Sequence, residues 1–169
     1  GDIVAGNRVA NFREVAEREL RARGVTLQEI RAREIRDGRL GEAQHTALRV
    51  TPYATSIGEE RFVEIVTGDD RLLGFCRLAL PATASFVAEL GGSALLRELH
   101  VYGAALALGE RSAERAQHRG LGKRLVAEAS RLAAAAGFTS LAVISAVGTR
   151  DYYRKLGFRD GELYQHLAL

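Results

Sequence analysis

A mixed α/β (α+β) layer fold, a central and mostly antiparallel sheet flanked by helices, is what this sequence predicts. Three features carry the prediction. Strand-like stretches separated by turn signals fill residues 47–102, an apolar stripe of helical period starts near Arg119, and the chain closes in the order strand, loop, helix, strand, helix, strand. An N-terminal helix and a basic arm precede them.

Taken in order, Asn11-Phe12-Arg13-Glu14 reads as an N-cap with a glutamate three residues on. Helical spacing at Phe12, Val15, Ala16 and Leu20 continues to Arg23, and Gly24 ends it. "IRAREIRDGR" (30–39) alternates and is rich in arginine, the pattern of an exposed strand or extended arm. Residues 47–66 are strand-like with a break around Ser56–Glu60, and "TGDDRL" (67–72) has turn composition. "LLGFCRLAL" (72–80) is a second strand, ended by Pro81. In "ALLRELHVYG" (94–103), alternation puts Leu95, Arg97, Leu99 and Val101 on one face and Leu96, Glu98, His100 and Tyr102 on the other. A loop follows, then a helix from Arg119 to about Ala136 with Leu121, Leu125, Ala129, Leu132 and Ala136 as its stripe and Gly137 as its cap. "SLAVISAV" (140–147) is a buried strand by its continuous apolar character. "GTRDYYRKLG" (148–157) fits a short helix ending at Gly157, and "FRDGELYQHLAL" forms a last strand.

Composition narrows the class. Apolar residues make up 47% of 169, ordinary for a globular domain. No apolar run approaches the about 18 residues that span a membrane, and the N-terminus lacks the apolar core of a signal peptide. The single cysteine, Cys76, excludes an internal disulfide, and a reducing, cytoplasmic compartment is expected. Cys76 alone cannot build a zinc site and the four histidines lack ligand spacing, so no metal is expected. With no methionine and glycine first, the sequence is expected to be a piece of a longer polypeptide. Of 24 basic residues only Lys123 and Lys155 are lysines, an excess of arginine that a GC-rich genome explains better than selection for phosphate recognition does. The net charge of +3 permits an acidic partner without demanding one.

"RAQHRGLGKRL" (115–125) places two glycines among basic residues at the start of the long helix, the pattern of an anion site. A P-loop fails, because Gln117 stands where its first glycine should be and Arg124 where Ser or Thr should bind magnesium. A dinucleotide fingerprint fails, because Leu125 replaces its third glycine and "ERSAERAQ" replaces its strand. Gln117-His118-Arg119-Gly120-Leu121-Gly122 fully matches a third template, Gln/Arg-x-x-Gly-x-Gly/Ala. In it, backbone N–H groups and the helix N-terminus cradle a pyrophosphate, and Arg119 and Lys123 add charge.

That template resembles the coenzyme A loop of the GNAT acetyltransferases. More closely, "RELHVYG" (97–103), "QHRGLGKRL" (117–125) and "VISAVGTRDYYRKLGF" (143–158) resemble the acetyltransferase domain of the Elongator catalytic subunit family, which carboxymethylates the tRNA wobble uridine. "NFREVAERELRARG" with "IRAREIR" is similar to the segment upstream in that family, so the likeness runs over nearly the whole chain. The resemblance implies a GNAT acyl-CoA N-acyltransferase fold over residues 41–169, and residues 1–40 as a link to a radical S-adenosylmethionine domain outside this sequence. It implies acetyl-CoA as cosubstrate and tRNA as the partner that stimulates its breakdown. S-adenosylmethionine and an iron–sulfur cluster belong to the other domain, whose three-cysteine motif this sequence does not contain. A homodimer or Elongator-like subunits are further expected partners of the full-length protein. By position, Glu98, Leu99, His100 and Val101 would be the strand edge along the pantetheine arm. Gln117, His118, Arg119, Gly120, Leu121, Gly122 and Lys123 would hold the pyrophosphate, and Tyr153, with Tyr152 beside it, would lie near the thioester.

Each of these residues also has a plainer reading. Tyr152 and Tyr153 would point about 100° apart on a helix, so one faces the site and the other packs. With the resemblance, Tyr153 is assigned the proton-donor role. Glu98 and His100 could accept a proton or order a water, or His100 could be a hydrogen-bonded core histidine. Arg31, Arg33, Arg36 and Arg39 read by themselves as a solvated face, and with tRNA as the family substrate as a phosphate-contacting arm. Two other functions stay open: a stand-alone N-acetyltransferase for a protein or small-molecule amine, and a non-catalytic RNA- or subunit-binding module.

Overall fold

A computed structural model of the chain describes residues 11–35, 45–102 and 120–169. It divides into two compact units, Gly1–Arg33 and Glu34–Leu169. In the first unit, α1 spans Phe12–Ala22, and Gly24 with φ 73° ends it as predicted. The amides of Gly24 and Val25 turn back onto the carbonyls of Arg21 and Leu20, the paired bonds of a glycine-terminated helix. The cap at the other end departs from expectation: Asn11 is left-handed and its side chain makes no capping bond.

A second correction concerns the basic stretch. Ile30–Arg33 forms one helical turn, α2, because the Ala32 and Arg33 amides bond the Glu29 carbonyl. Arg33 is only 8% exposed. In the second unit Glu34 makes a single parallel bridge to Leu72, and Ile35 is buried. Over residues 30–35 the alternating pattern therefore does not form an exposed strand.

The second unit is built on a seven-stranded sheet in the order β1-β2-β3-β4-β5-β7-β6. β1 (Thr46–Thr55) and β2 (Gly58–Thr67) form a hairpin broken where the sequence breaks, at Ser56 and Ile57. β3 (Leu72–Pro81) follows the predicted turn, in which the Asp70 amide donates to the Thr67 carbonyl at 3.0 Å. β4 covers Ser93–Val101 and β5 Ser140–Val143; β6 (Arg159–Asp160) and β7 (Gln165–Ala168) make a small hairpin where one last strand was expected. Every pairing is antiparallel except β4 with β5.

The long helix α3 (Leu121–Ala135) lies on the sheet and buries Leu121, Leu125, Ala129 and Leu132 at the predicted spacing, with Gly122, Val126 and Ala133 widening the stripe. It packs mainly on β3 and β4. Val63, Ile65, Cys76, Leu78 and Leu96 meet it from the sheet. Gly137, φ 88°, ends the helix as predicted. α4 (Arg150–Lys155) follows a short 3-10 turn at Val147–Thr149.

Candidate active site in the opening between β4 and β5

Two local irregularities make the site. The first is a β-bulge: Arg77 pairs with Glu98 but Leu78 pairs with Leu96, which leaves Arg97 as the extra residue. The bulge breaks the predicted alternation of β4. Leu96 and Leu99, three apart, both join the core, while Arg97 pairs with buried Glu60 and Glu98 pairs with Arg77 at 2.8 Å. The second is a divergence. β4 and β5 pair from Ser93↔Ser140 to Leu96↔Val143, then β4 continues to Val101 while the chain after Val143 turns away. Residues 144–147 are thus not strand, against expectation, and Ile144 is 64% exposed.

The result is a cleft of about 550 Å³ between Arg97–Val101 on one side and Val143–Ala146, Thr149, Tyr152 and Tyr153 on the other, with Gly122 at its end. No described strand pairs with β4 beyond Leu96 on the β5 side, so that edge offers N–H and C=O groups to a ligand. Gly120 and Leu121 open α3 at this end; the Arg124 amide bonds the Gly120 carbonyl at 2.9 Å, and no side chain caps the helix start. A side chain at Gly120 would meet nothing within 4 Å among the described residues, so the first turn is open to approach from them. Lys123 is exposed there. Gln117, His118 and Arg119 lie outside the described residues, as do Arg36 and Arg39.

Glu98 and His100 border the cleft together, with Glu98 Oε1 3.3 Å from His100 Nε2. His100 is not a core histidine: it is exposed, and its ring stacks on Phe75 at 5.1 Å. Glu60, behind the bulge, accepts the Tyr53 hydroxyl at 2.6 Å. Burial alone would raise its carboxyl, but Tyr53 and the Arg97 and Arg77 guanidinium groups outweigh burial and hold it below the usual range.

Both tyrosines border the cleft and differ in exposure. Tyr153 is 7% exposed and packs edge-on against Phe158, and burial, then Tyr152 and Cys76, push its phenol up to about 12. Tyr152 is 37% exposed on the cleft, its phenol also raised by burial. Tyr152 is therefore the more exposed of the two side chains on the cleft.

One residue that the sequence did not mark holds this wall. Gln165, 1% exposed on β7, accepts the Ser145 hydroxyl at 3.0 Å and donates to the Arg150 carbonyl at 3.2 Å and to Asp160 Oδ1 at 2.9 Å. It ties the cleft lip to the start of α4. Only the polarity of Gln165 within a final apolar strand could have signalled it.

A mixed sheet whose one parallel pair splays open at the N-terminus of a helix defines an acyl-CoA transferase architecture. Residues 27–158 match the profile of the acetyltransferase (GNAT) family, and the chain belongs to that family. It is thus an acyltransferase domain, and acetyl-CoA is the cosubstrate that the fold implies. Among particular proteins, it is 44% identical over 126 residues to the tRNA uridine(34) acetyltransferase of Dehalococcoides mccartyi, covering 71% of this chain and 28% of that protein. It is 36% identical over 169 residues to Elongator complex protein 3 of Mus musculus, covering 93% of this chain and 30% of that protein. A solved structure of Methanocaldococcus infernus Elp3 lacking its N-terminus superposes with a TM-score of 0.84 at 33% identity, over 99% of this chain and 41% of that one. The chain spans about 30% of the length of the curated relatives it matches. Among the described residues no helix is long and apolar enough to cross a membrane.

Proposed function

We propose that the cleft binds acetyl-CoA and that the chain is the acetyl-transferring domain of an enzyme that carboxymethylates the wobble uridine of tRNA, tRNA triggering acetyl-CoA breakdown. The observation that carries the reading is the divergence of β4 from β5 at the first turn of α3. An exposed strand edge suits a ligand that bears amides, and a helix start with open N–H groups suits its pyrophosphate. In this reading Glu98–Val101 line the pantetheine, and Gln117–Lys123 hold the phosphates. Acetyl-CoA supplies an activated acyl group, and Tyr152 donates a hydrogen bond or proton to the departing sulfur. The tRNA part rests on the likeness to the proteins named above. S-adenosylmethionine and an iron–sulfur cluster would belong to a separate domain, and a buried cysteine suits a reducing cytoplasm.

Gly120→Glu tests the coenzyme part. Gly120 meets none of the described residues, so the substitution adds charge without displacing their atoms. Acetyl-CoA affinity by calorimetry is expected to fall about tenfold, ~1.4 kcal/mol, with the fold intact; unchanged affinity overturns the assignment. The tRNA part is tested at Arg31, which is exposed, together with Arg36 and Arg39. Their replacement by alanine is expected to weaken tRNA binding and to lower its log–log salt slope by about 0.9 per lost phosphate contact. Acetyl-CoA affinity stays constant. An unchanged slope removes the arm from the tRNA surface.

A further inference from the structure

Gly122 raises a question that the coenzyme loop does not answer. The template Gln/Arg-x-x-Gly-x-Gly/Ala admits alanine at this place, and alanine is the better helix former. Gly122 is buried in the first turn of α3, where alanine would ordinarily be favoured. A Cβ built on Gly122, however, collides with the hydroxyl of Tyr152, and stands 3.4 Å from Tyr152 Cζ and 3.6 Å from Val101 Cγ2. At Gly120 the same construction meets nothing among the described residues. The two glycines of the loop therefore differ: one meets none of the described residues and the other faces the protein's own tyrosine.

We propose that Gly122 is a positioning residue for Tyr152: its missing side chain is the socket that seats the Tyr152 hydroxyl at the first turn of α3, beside β4. This inference rests on the reading of the cleft as the acetyl-CoA site and adds a coupling between the two motifs that border it. The glycine loop and the tyrosine helix are 30 positions apart in sequence, Gly122 to Tyr152. They meet at one atom. Tyr152 lies on a short helix whose start is held by Gln165, so it is the side chain that yields to a new methyl group, and a phenol that swings aside leaves its seat beside β4. Removing the hydroxyl instead leaves only the Cζ contact, which is ordinary van der Waals distance. The coupling thus has a specific signature: alanine at 122 is harmful beside tyrosine and harmless beside phenylalanine.

The test is a double-mutant cycle in the full-length protein, with wild type, Gly122→Ala, Tyr152→Phe and the double variant. Each is assayed for acetyl-CoA affinity by calorimetry, for tRNA-dependent release of CoA, and for thermal stability. Acetyl-CoA affinity is expected to stay within about twofold in all four, since alanine leaves the backbone N–H groups in place. Turnover by Gly122→Ala is expected to fall about 10²-fold, the scale on which a misplacement near 1 Å acts. Adding Gly122→Ala to Tyr152→Phe is expected to change turnover by less than about twofold. Stability should follow the same pattern, lowered in Gly122→Ala and restored in the double variant. Wild-type turnover in Gly122→Ala, an equal loss on both backgrounds, or lost acetyl-CoA affinity on both backgrounds overturns the inference. If Gly122→Ala does not fold, folding of the double variant supports the socket and its failure to fold overturns it. If no variant and not the wild type binds acetyl-CoA, the cleft reading fails, and the stability cycle alone still decides whether Gly122 seats Tyr152.

Discussion

The β2–β3 ladder and the β4–β5 ladder belong to one sheet and end in opposite ways. β2 and β3 stay paired from Gly58↔Pro81 to Val66↔Leu72, whereas β4 and β5 share four pairs and then part. Along the first, backbone polar groups are consumed by backbone, and the side chains beneath form a closed core. Along the second, a strand edge and a helix start are left facing a cleft, and the nearby side chains mix aliphatic residues such as Leu99, Val101 and Ile144 with charged, aromatic and hydroxylic ones. Closure gives stability and opening gives a binding site, because a backbone group that has a strand partner has little left for a ligand.

The largest expected effect breaks the closed side. Ile65 on β2 is fully buried among Leu73, Leu125 and their neighbours. Ile65→Ala is expected to cost about 2–5 kcal/mol of stability by chemical denaturation, while the folded fraction keeps its acetyl-CoA affinity. A loss below about 1 kcal/mol would mean that the core closes over the gap. The next effect separates the two tyrosines at the open side. Tyr152→Phe is expected to lower acetyl-CoA turnover about 10²-fold and to leave binding nearly unchanged. Tyr153→Phe should have the smaller kinetic effect, since its ring is packed against Phe158. If Tyr153→Phe is the more damaging, the roles exchange and the sequence-based assignment returns.

The smallest effect tests burial by titration. Tyr153 titrates near 12 in the folded chain against an ordinary value of 10.0, mainly because burial disfavours the phenolate. The unfolded chain then releases this proton first, so the contribution of Tyr153 is complete below pH 10 and is lost as pH rises toward 12. Unfolding midpoints measured across that window are expected to fall more steeply for the wild type than for Tyr153→Phe. Equal slopes would place Tyr153 with the open side instead of the core.

Much of this organisation was legible in the sequence. The α3 stripe, the glycines at 24 and 137, the hairpin break at Ser56 and the turn before Leu72 are local signals, and each falls where periodicity and turn chemistry put it. The helix start that follows Gly120 was legible from the two glycines and the apolar stripe after them. Three features were not. The bulge at Arg97 needs β3 as its partner, since the extra residue exists only relative to Arg77 and Leu78. The end of β5 at Val143 was hidden by apolar residues that continue through Val147. Arg33 is charged and yet buried, against the pattern of its neighbours.

What the sequence by itself determined is the order of the main elements and the place of the long helix's start, because hydrophobic period, caps and glycines act over a turn or two of chain. Only the tertiary structure decided which tyrosine is the more exposed, which faces β4 turns to core or partner charge, and what Gly122 accommodates. Those outcomes depend on atoms far apart in sequence being brought together. Tyr152 meets Gly122, Glu98 meets Arg77, and Gln165 meets Ser145 and Arg150. No local pattern encodes such meetings, since each is set by how strands and helices pack once formed.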